Sequence, residues 1–213
     1  MRDVNIAIVD YGVGNLRSVK NAFDQHASCT ARVSDNPDDL RQADAIVLPG
    51  VGAFREGFDM LKKKGFVEAL TLQAMHKRKP LLAVCLGMQF LMDASEEGGK
   101  TSGLGWISSR VRKFELPSEF RVPHIGWNNL EVLQQSRIFS GIEHDTNFYF
   151  VHSFFVDCSN DDLLLATCHY GHPFAAAIQK GNIIGLQFHP EKSHHNGLRV
   201  IGNFIQFVRD GLC

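Results

Sequence analysis

The sequence predicts an α/β fold: a mostly parallel central sheet with helices on both faces, and antiparallel strands added in the C-terminal half. Three observations carry this. Short runs are apolar along their whole length, as strands buried on both faces must be. Segments of helical period separate the first of these runs. After about residue 100 the pattern shifts to closely spaced strands.

Asn5–Asp10 is the first apolar run, ended by Tyr11-Gly12-Val13-Gly14, and reads as a buried strand entering a tight turn. A helix follows, with Leu16, Val19, Ala22 and Phe23 on one face at spacings of three and four. Asp44–Leu48 is the next buried strand, closed by Pro49-Gly50-Val51-Gly52. A helical stretch covers about Glu68 to His76. Pro80–Val84 is a third strand, running into Cys85-Leu86-Gly87-Met88-Gln89, where another helix starts. Phe148–Val151 and Ala175–Gln179 read as antiparallel strands and Ile183–Phe188 as a further strand. A last amphipathic helix covers about Leu198 to Val208. No repeat, low-complexity tract or linker interrupts the chain, so residues 1–213 are expected to form a single domain.

Composition narrows the function. The 213 residues are 44% hydrophobic and 21% charged, with a formal net charge of −1. That balance supplies no field for nucleic acid or an acidic membrane surface. No apolar run reaches the ~20 residues that span a bilayer. The Met1–Asn5 start lacks a signal-peptide core, so a cytoplasmic protein is expected. The five cysteines, Cys29, Cys85, Cys158, Cys168 and Cys213, show neither CxxC spacing nor an even count. A disulfide framework and a zinc ribbon are therefore not indicated. Cys29, Cys158 and Cys168 read as small apolar residues, and Cys213 has no assigned role. His194 and His195 are adjacent, without the i, i+4 spacing of a helical metal site, so no metal or cofactor is expected.

Cys85 stands apart. It ends an apolar strand, precedes a helix start, and is flanked by Ala83 and Gly87. Small neighbours let the chain turn sharply and present a nucleophile. A thiol at a helix N-terminus is favoured as thiolate, and the free N–H of Leu86 can stabilise an oxyanion. The competing reading is a buried structural cysteine. A thiol nucleophile needs a base and the base an orienting group. His189-Pro190-Glu191 offers both just past a strand: in extended chain, positions i and i+2 face one way, and Pro190 biases His189 toward that conformation. Alone, this tripeptide reads as a surface turn. Gly50-Val51-Gly52 can present amides to an anion or only serve a tight turn. Gly12-Val13-Gly14 partly matches a dinucleotide fingerprint, but Arg17 stands where a third glycine belongs.

Together, Pro49-Gly50-Val51-Gly52, Cys85-Leu86-Gly87-Met88-Gln89 and His189-Pro190-Glu191 resemble class I glutamine amidotransferases, which share a flavodoxin-like fold. The resemblance implies that Cys85 attacks the side-chain amide of glutamine, that His189 moves the protons and that Glu191 orients His189. It implies an oxyanion segment at Gly50, Val51 and Gly52 with Leu86, and glutamine held by Gln89, Glu97, Ser153 and Phe154. Asp10–Asn15, Pro123–Asn128, Tyr149–Ser153 and Lys192-Ser193 extend the similarity to a branch that serves a cyclase subunit in histidine biosynthesis. For that branch, Asn15, Trp127 and Lys192 match interface positions with the cyclase, and activation passes through the peptide at Val51. A chain filled by a glutaminase also implies a separate ammonia acceptor. Ala83 and Phe154 depart from the glycine and tyrosine common in the wider family. The alternatives are an amidotransferase or related hydrolase of another pathway, a catalytically silent binding subunit, and a nucleotide-binding module.

Overall fold

In the computed structural model the described residues are 3–143, 145–158 and 160–211, so Cys213 and the Met1-Arg2 start lie outside them. The strands are β1 (Val4–Val9), β2 (Cys29–Ser34), β3 (Ala45–Leu48), β4 (Leu81–Val84), β5 (Met92–Ser95), β6 (Thr101–Ser102) and β7 (Ile107–Lys113). They continue with β8 (His124–Asn129), β9 (Glu131–Val132), β10 (Asn147–His152), β11 (Phe154–Asp157), β12 (Leu164–Tyr170), β13 (His172–Lys180) and β14 (Ile183–Leu186). The helices are α1 (Leu16–Asp24), α2 (Phe54–Lys63), α3 (Phe66–Leu70), α4 (Leu86–Phe90) and α5 (His194–Asp210).

Eight strands make the central sheet in the order β2-β1-β3-β4-β14-β13-β12-β9. The first five are mutually parallel, and β13, β12 and β9 add antiparallel strands at one edge. The parallel half has flavodoxin-like order, with its carboxyl ends at the rim where such sheets carry their sites. Two smaller sheets, β10-β8 and β11-β7-β5-β6, flank it.

The apolar strands alternate between two cores, which is why they lack a polar face. Ile6, Ile8, Val47 and Val84 pack with Val19 and Phe23 of α1 and Val200 and Phe204 of α5. Val9, Ile46, Leu48 and Leu81 pack with Leu61 of α2, Phe66 and Leu70 of α3, and Phe90 of α4.

Several elements differ from the sequence reading. Cys29–Ser34 is a strand, the second in chain order, and Phe54–Lys63 is a helix; neither was anticipated. The Glu68–His76 helix is instead α3 followed by a π-helical turn over Thr71–His76. The helix after Cys85 lasts only five residues before the chain enters β5. The last helix begins at His194, a full turn earlier than Leu198. Among the described residues no helix is long and apolar enough to cross a membrane.

Candidate active site

Cys85 follows β4 at φ 53° and ψ −110°, a conformation that L-residues avoid. Holding it there costs about 1–3 kcal/mol, and the surroundings enforce it. The Cys85 N–H donates to the Leu186 carbonyl at 2.7 Å, tying the elbow to β14. Behind the elbow, a Cβ on Gly87 would lie 1.9 Å from the Leu48 carbonyl oxygen, so only glycine lets β3 end beneath α4. Gly50 is similarly confined: a Cβ there would stand 2.6 Å from the Tyr11 hydroxyl and 2.9 Å from the Gly87 nitrogen. Leu86 opens α4, so its N–H has no acceptor within the helix.

His189 and Glu191 lie beyond β14, the neighbour of β4. Their side chains meet at 2.8 Å, His189 Nδ1 to Glu191 Oε1, and both are 2% exposed. The route differs from simple strand alternation. His189 is extended, but Pro190–Lys192 forms a 3₁₀ turn, and that turn folds Glu191 back onto the ring. The Ser193 hydroxyl donates to the His189 carbonyl at 2.7 Å and accepts from the Tyr149 N–H, locking the turn to β10. His189 Nε2 makes no hydrogen bond of normal geometry. Burial lowers the pKa of His189, but the Cys85 sulfur and then Glu191 outweigh it and raise the pKa to about 10. The imidazole is thus set to carry a proton beside the sulfur.

A cleft of about 380 Å³ opens over these groups. Val51, Gly52, Cys85, Leu86, Gln89, Glu97, Ser153, Phe154, His189 and Lys192 line it. Gly50 does not; it is buried behind the elbow. Glu97 Oε2 accepts from the Phe54 N–H at 2.8 Å, so its carboxylate also holds the start of α2 just after the glycine segment. Gln89 Nε2 donates to the Phe154 carbonyl at 2.9 Å, and that carbonyl is also contacted by His152 Nδ1. Gly52 sits at φ 91° with nothing within 4 Å of where its Cβ would be.

One residue beside the sulfur escaped the sequence reading. Gln187 is fully buried, and its Nε2 lies 3.6 Å from Cys85 Sγ. Its signal was the pairing register: Leu186 stands opposite Val84, so Gln187 stands opposite Cys85.

Two further buried histidines adjoin the cleft. His124 Nδ1 and His152 Nε2 are 3.1 Å apart. Burial pushes His124 down to about 4, and burial with the nearby His124 and His189 pushes His152 down to about 3. Burial thus favours the neutral form of both, whereas His189 is pushed toward the charged one.

A profile of the family Glutamine amidotransferase class-I matches residues 7–207. The chain belongs to this family. It is 46% identical over 201 residues to "Imidazole glycerol phosphate synthase subunit HisH 1" of Campylobacter jejuni, spanning 94% of this chain and 99% of that one. It is 45% identical over 203 residues to "Imidazole glycerol phosphate synthase subunit HisH 2" of Pseudomonas aeruginosa, spanning 95% and 100%. In fold it is similar to PurLQS from Thermotoga maritima, with TM-score 0.73 and 17% identity over 97% of this chain and 99% of that one. The glutaminase domain of Trypanosoma brucei CTPS is similar at TM-score 0.64 and 18% identity, over 95% and 94%.

On this class I amidotransferase, of the residues expected at a partner interface Lys192 lines the cleft and Trp127 stands beside it through Tyr149. Trp127 is 44% exposed and stacks on His194 at 4.9 Å. Tyr149 meets Trp127 edge-on and carries the Lys192 ammonium 5.4 Å above its ring. Asn15 is exposed and precedes α1, which packs against the Pro190–Lys192 turn.

Proposed function

We propose that this chain is the glutaminase subunit of an imidazole glycerol phosphate synthase. The reading rests above all on Cys85 held in a strained elbow beside the buried His189–Glu191 pair, at the floor of one cleft. The near-full-length relatives bearing that name point to the pathway.

In this reading the Cys85 proton passes to His189 Nε2, and the sulfur attacks the side-chain carbonyl carbon of glutamine. The N–H groups of Leu86, Val51 and Gly52 face the oxyanion. Collapse breaks the C–N bond, His189 returns its proton to the leaving nitrogen, and ammonia departs. Water then attacks the thioester with His189 as base, giving glutamate and restoring the thiol. Glu191 keeps the imidazole oriented throughout. Ammonia passes to a cyclase subunit docked over Asn15, Trp127 and Lys192. There it is built into imidazole glycerol phosphate, with an aminoimidazole carboxamide ribonucleotide as co-product. The oxyanion segment reorients at the Val51 peptide when the cyclase binds, and the isolated chain idles.

The test is glutamate release by the purified chain, with and without the cyclase subunit and its nucleotide ligand. Turnover that is slow alone, rises steeply in the complex and vanishes in Cys85→Ser supports the reading. Fast turnover regardless of the cyclase removes the pathway assignment. No turnover from folded protein in either condition points to a silent subunit.

A further inference from the structure

We propose that Gln187 is a catalytic residue: its side-chain amide donates a hydrogen bond to the Cys85 sulfur and stabilises the thiolate that attacks substrate. The role rests on the glutaminase reading of this site. The backbone fixes the residue from two sides. Leu186 accepts from the Cys85 N–H, and the Gln187 N–H donates to the Ala176 carbonyl at 2.9 Å, continuing the β13–β14 ladder by one bond.

The orientation of the amide follows from its neighbours. Gln89 Nε2 donates to the Phe154 carbonyl at 2.9 Å and to Gln187 Oε1 at 3.1 Å. An –NH₂ group facing two acceptors is satisfied only this way round, so Gln187 must turn its oxygen to Gln89 and its own –NH₂ to the sulfur. Gln187 Nε2 reaches Sγ at 3.6 Å from a fully buried position. A hydrogen bond to the ionised form of a group favours that form, and low surrounding polarity strengthens it. The amide therefore shifts the balance from thiol and neutral imidazole toward thiolate and imidazolium, the proton moving from Sγ to His189 Nε2, which has no other partner.

Gln187 does not line the cleft, whereas Gln89 does. Loss of its donor should consequently act on the chemical step, with substrate affinity kept where Gln89 retains its acceptor, as in Gln187→Glu. The two glutamines also join the substrate seat to the nucleophile through two successive hydrogen bonds.

The experiment compares Gln187→Met and Gln187→Glu with the parent chain. Glu keeps an oxygen for Gln89 but replaces the donor facing sulfur, which separates a structural role from a donor role. The first readout is the pH profile of Cys85 alkylation by iodoacetamide, followed on the Cys85 peptide by mass spectrometry. The second is glutaminase kcat and KM in the cyclase complex, and melting temperature reports folding. The expected result is an alkylation midpoint raised by about one pH unit in Gln187→Met, equivalent to a tenfold lower thiolate fraction. Gln187→Glu should shift it at least as far, and kcat should fall roughly tenfold with KM little changed. An unshifted midpoint in both variants overturns the proposal. So does a Gln187→Glu variant indistinguishable from the parent, or a shifted midpoint with unchanged kcat. Alkylation needs no glutamine, so a shifted midpoint in a chain whose parent shows no turnover would remove the glutaminase reading and leave only the hydrogen bond.

Discussion

At the scale of single residues, the strain at Cys85 gives the clearest expectation. Both Cys85→Ala and Cys85→Gly remove the thiol and should abolish glutamate release. They should differ in stability, because glycine accepts φ 53° and alanine does not. Thermal or urea unfolding should place Cys85→Gly above Cys85→Ala by about 1 kcal/mol. Tyr11 offers a second contrast: its hydroxyl is fully buried and has no hydrogen-bond partner. Tyr11→Phe should therefore leave unfolding unchanged or raise its midpoint, since an unsatisfied buried polar group is already a cost. The neutral histidines set a pH dependence. An unfolded histidine titrates near 6.5, but His124 and His152 do so at about 4 and about 3 in the fold. Below pH 6.5 the unfolded chain takes up protons that the fold refuses, so this contribution is complete above 6.5 and is lost as pH falls from there toward about 3. Urea midpoints at pH 6, 5.5 and 5, where the opposite contribution of the raised His189 is already complete, should decline in that order, and replacing His124 and His152 by glutamine should flatten the decline. Cys85, His189 and Glu191 were legible as candidates because their short segments, ambiguous singly, combine in order, spacing and strand-end placement. Gln187 was not, because a single polar residue in an apolar run acquires its neighbour only through strand pairing.

Among the elements, the β4–α4 elbow depends on its glycine. With the Leu48 carbonyl 1.9 Å from where a Cβ would sit, Gly87→Ala must displace β3 or α4. Overpacking of this kind costs about 1–3 kcal/mol or more. Circular dichroism melts should show the loss together with a fall in Cys85 alkylation, because the elbow moves as a unit. The parallel strands β1, β3 and β4 were readable because burial on both faces leaves them apolar throughout, Asn5 near the start of β1 excepted. β2 was not: it is the sheet edge, and Thr30, Arg32 and Val33 are partly or largely exposed, so it lacks that signature. α2 escaped notice because its first turn lies directly after the glycine segment, without a side-chain cap of its own; Glu97 supplies that contact from 43 residues away. The turn over Pro190–Lys192 was anticipated in its outcome but not in its geometry, since nothing local separates an extended His-Pro-Glu from a 3₁₀ one.

At the scale of the whole molecule, two cores hold one sheet rim in place, and that rim carries the cleft on one side and the Trp127–Tyr149–Lys192 group at its mouth. If the cyclase docks there, Trp127→Ala should weaken the complex by tenfold or more, as buried aromatic anchors do. The melting temperature of the isolated chain should barely change, because Trp127 lies outside both cores and is 44% exposed. Titration calorimetry against the cyclase subunit measures the first effect and scanning calorimetry the second. The same arrangement makes the molecule its own optical probe. It contains two tryptophans. Trp106 is 6% exposed and shut within the second core, while Trp127 stands open to water against the face of His194. The red-shifted part of its emission therefore comes from Trp127 alone, and a blue shift on mixing with a partner would report coverage of this one face, without a label.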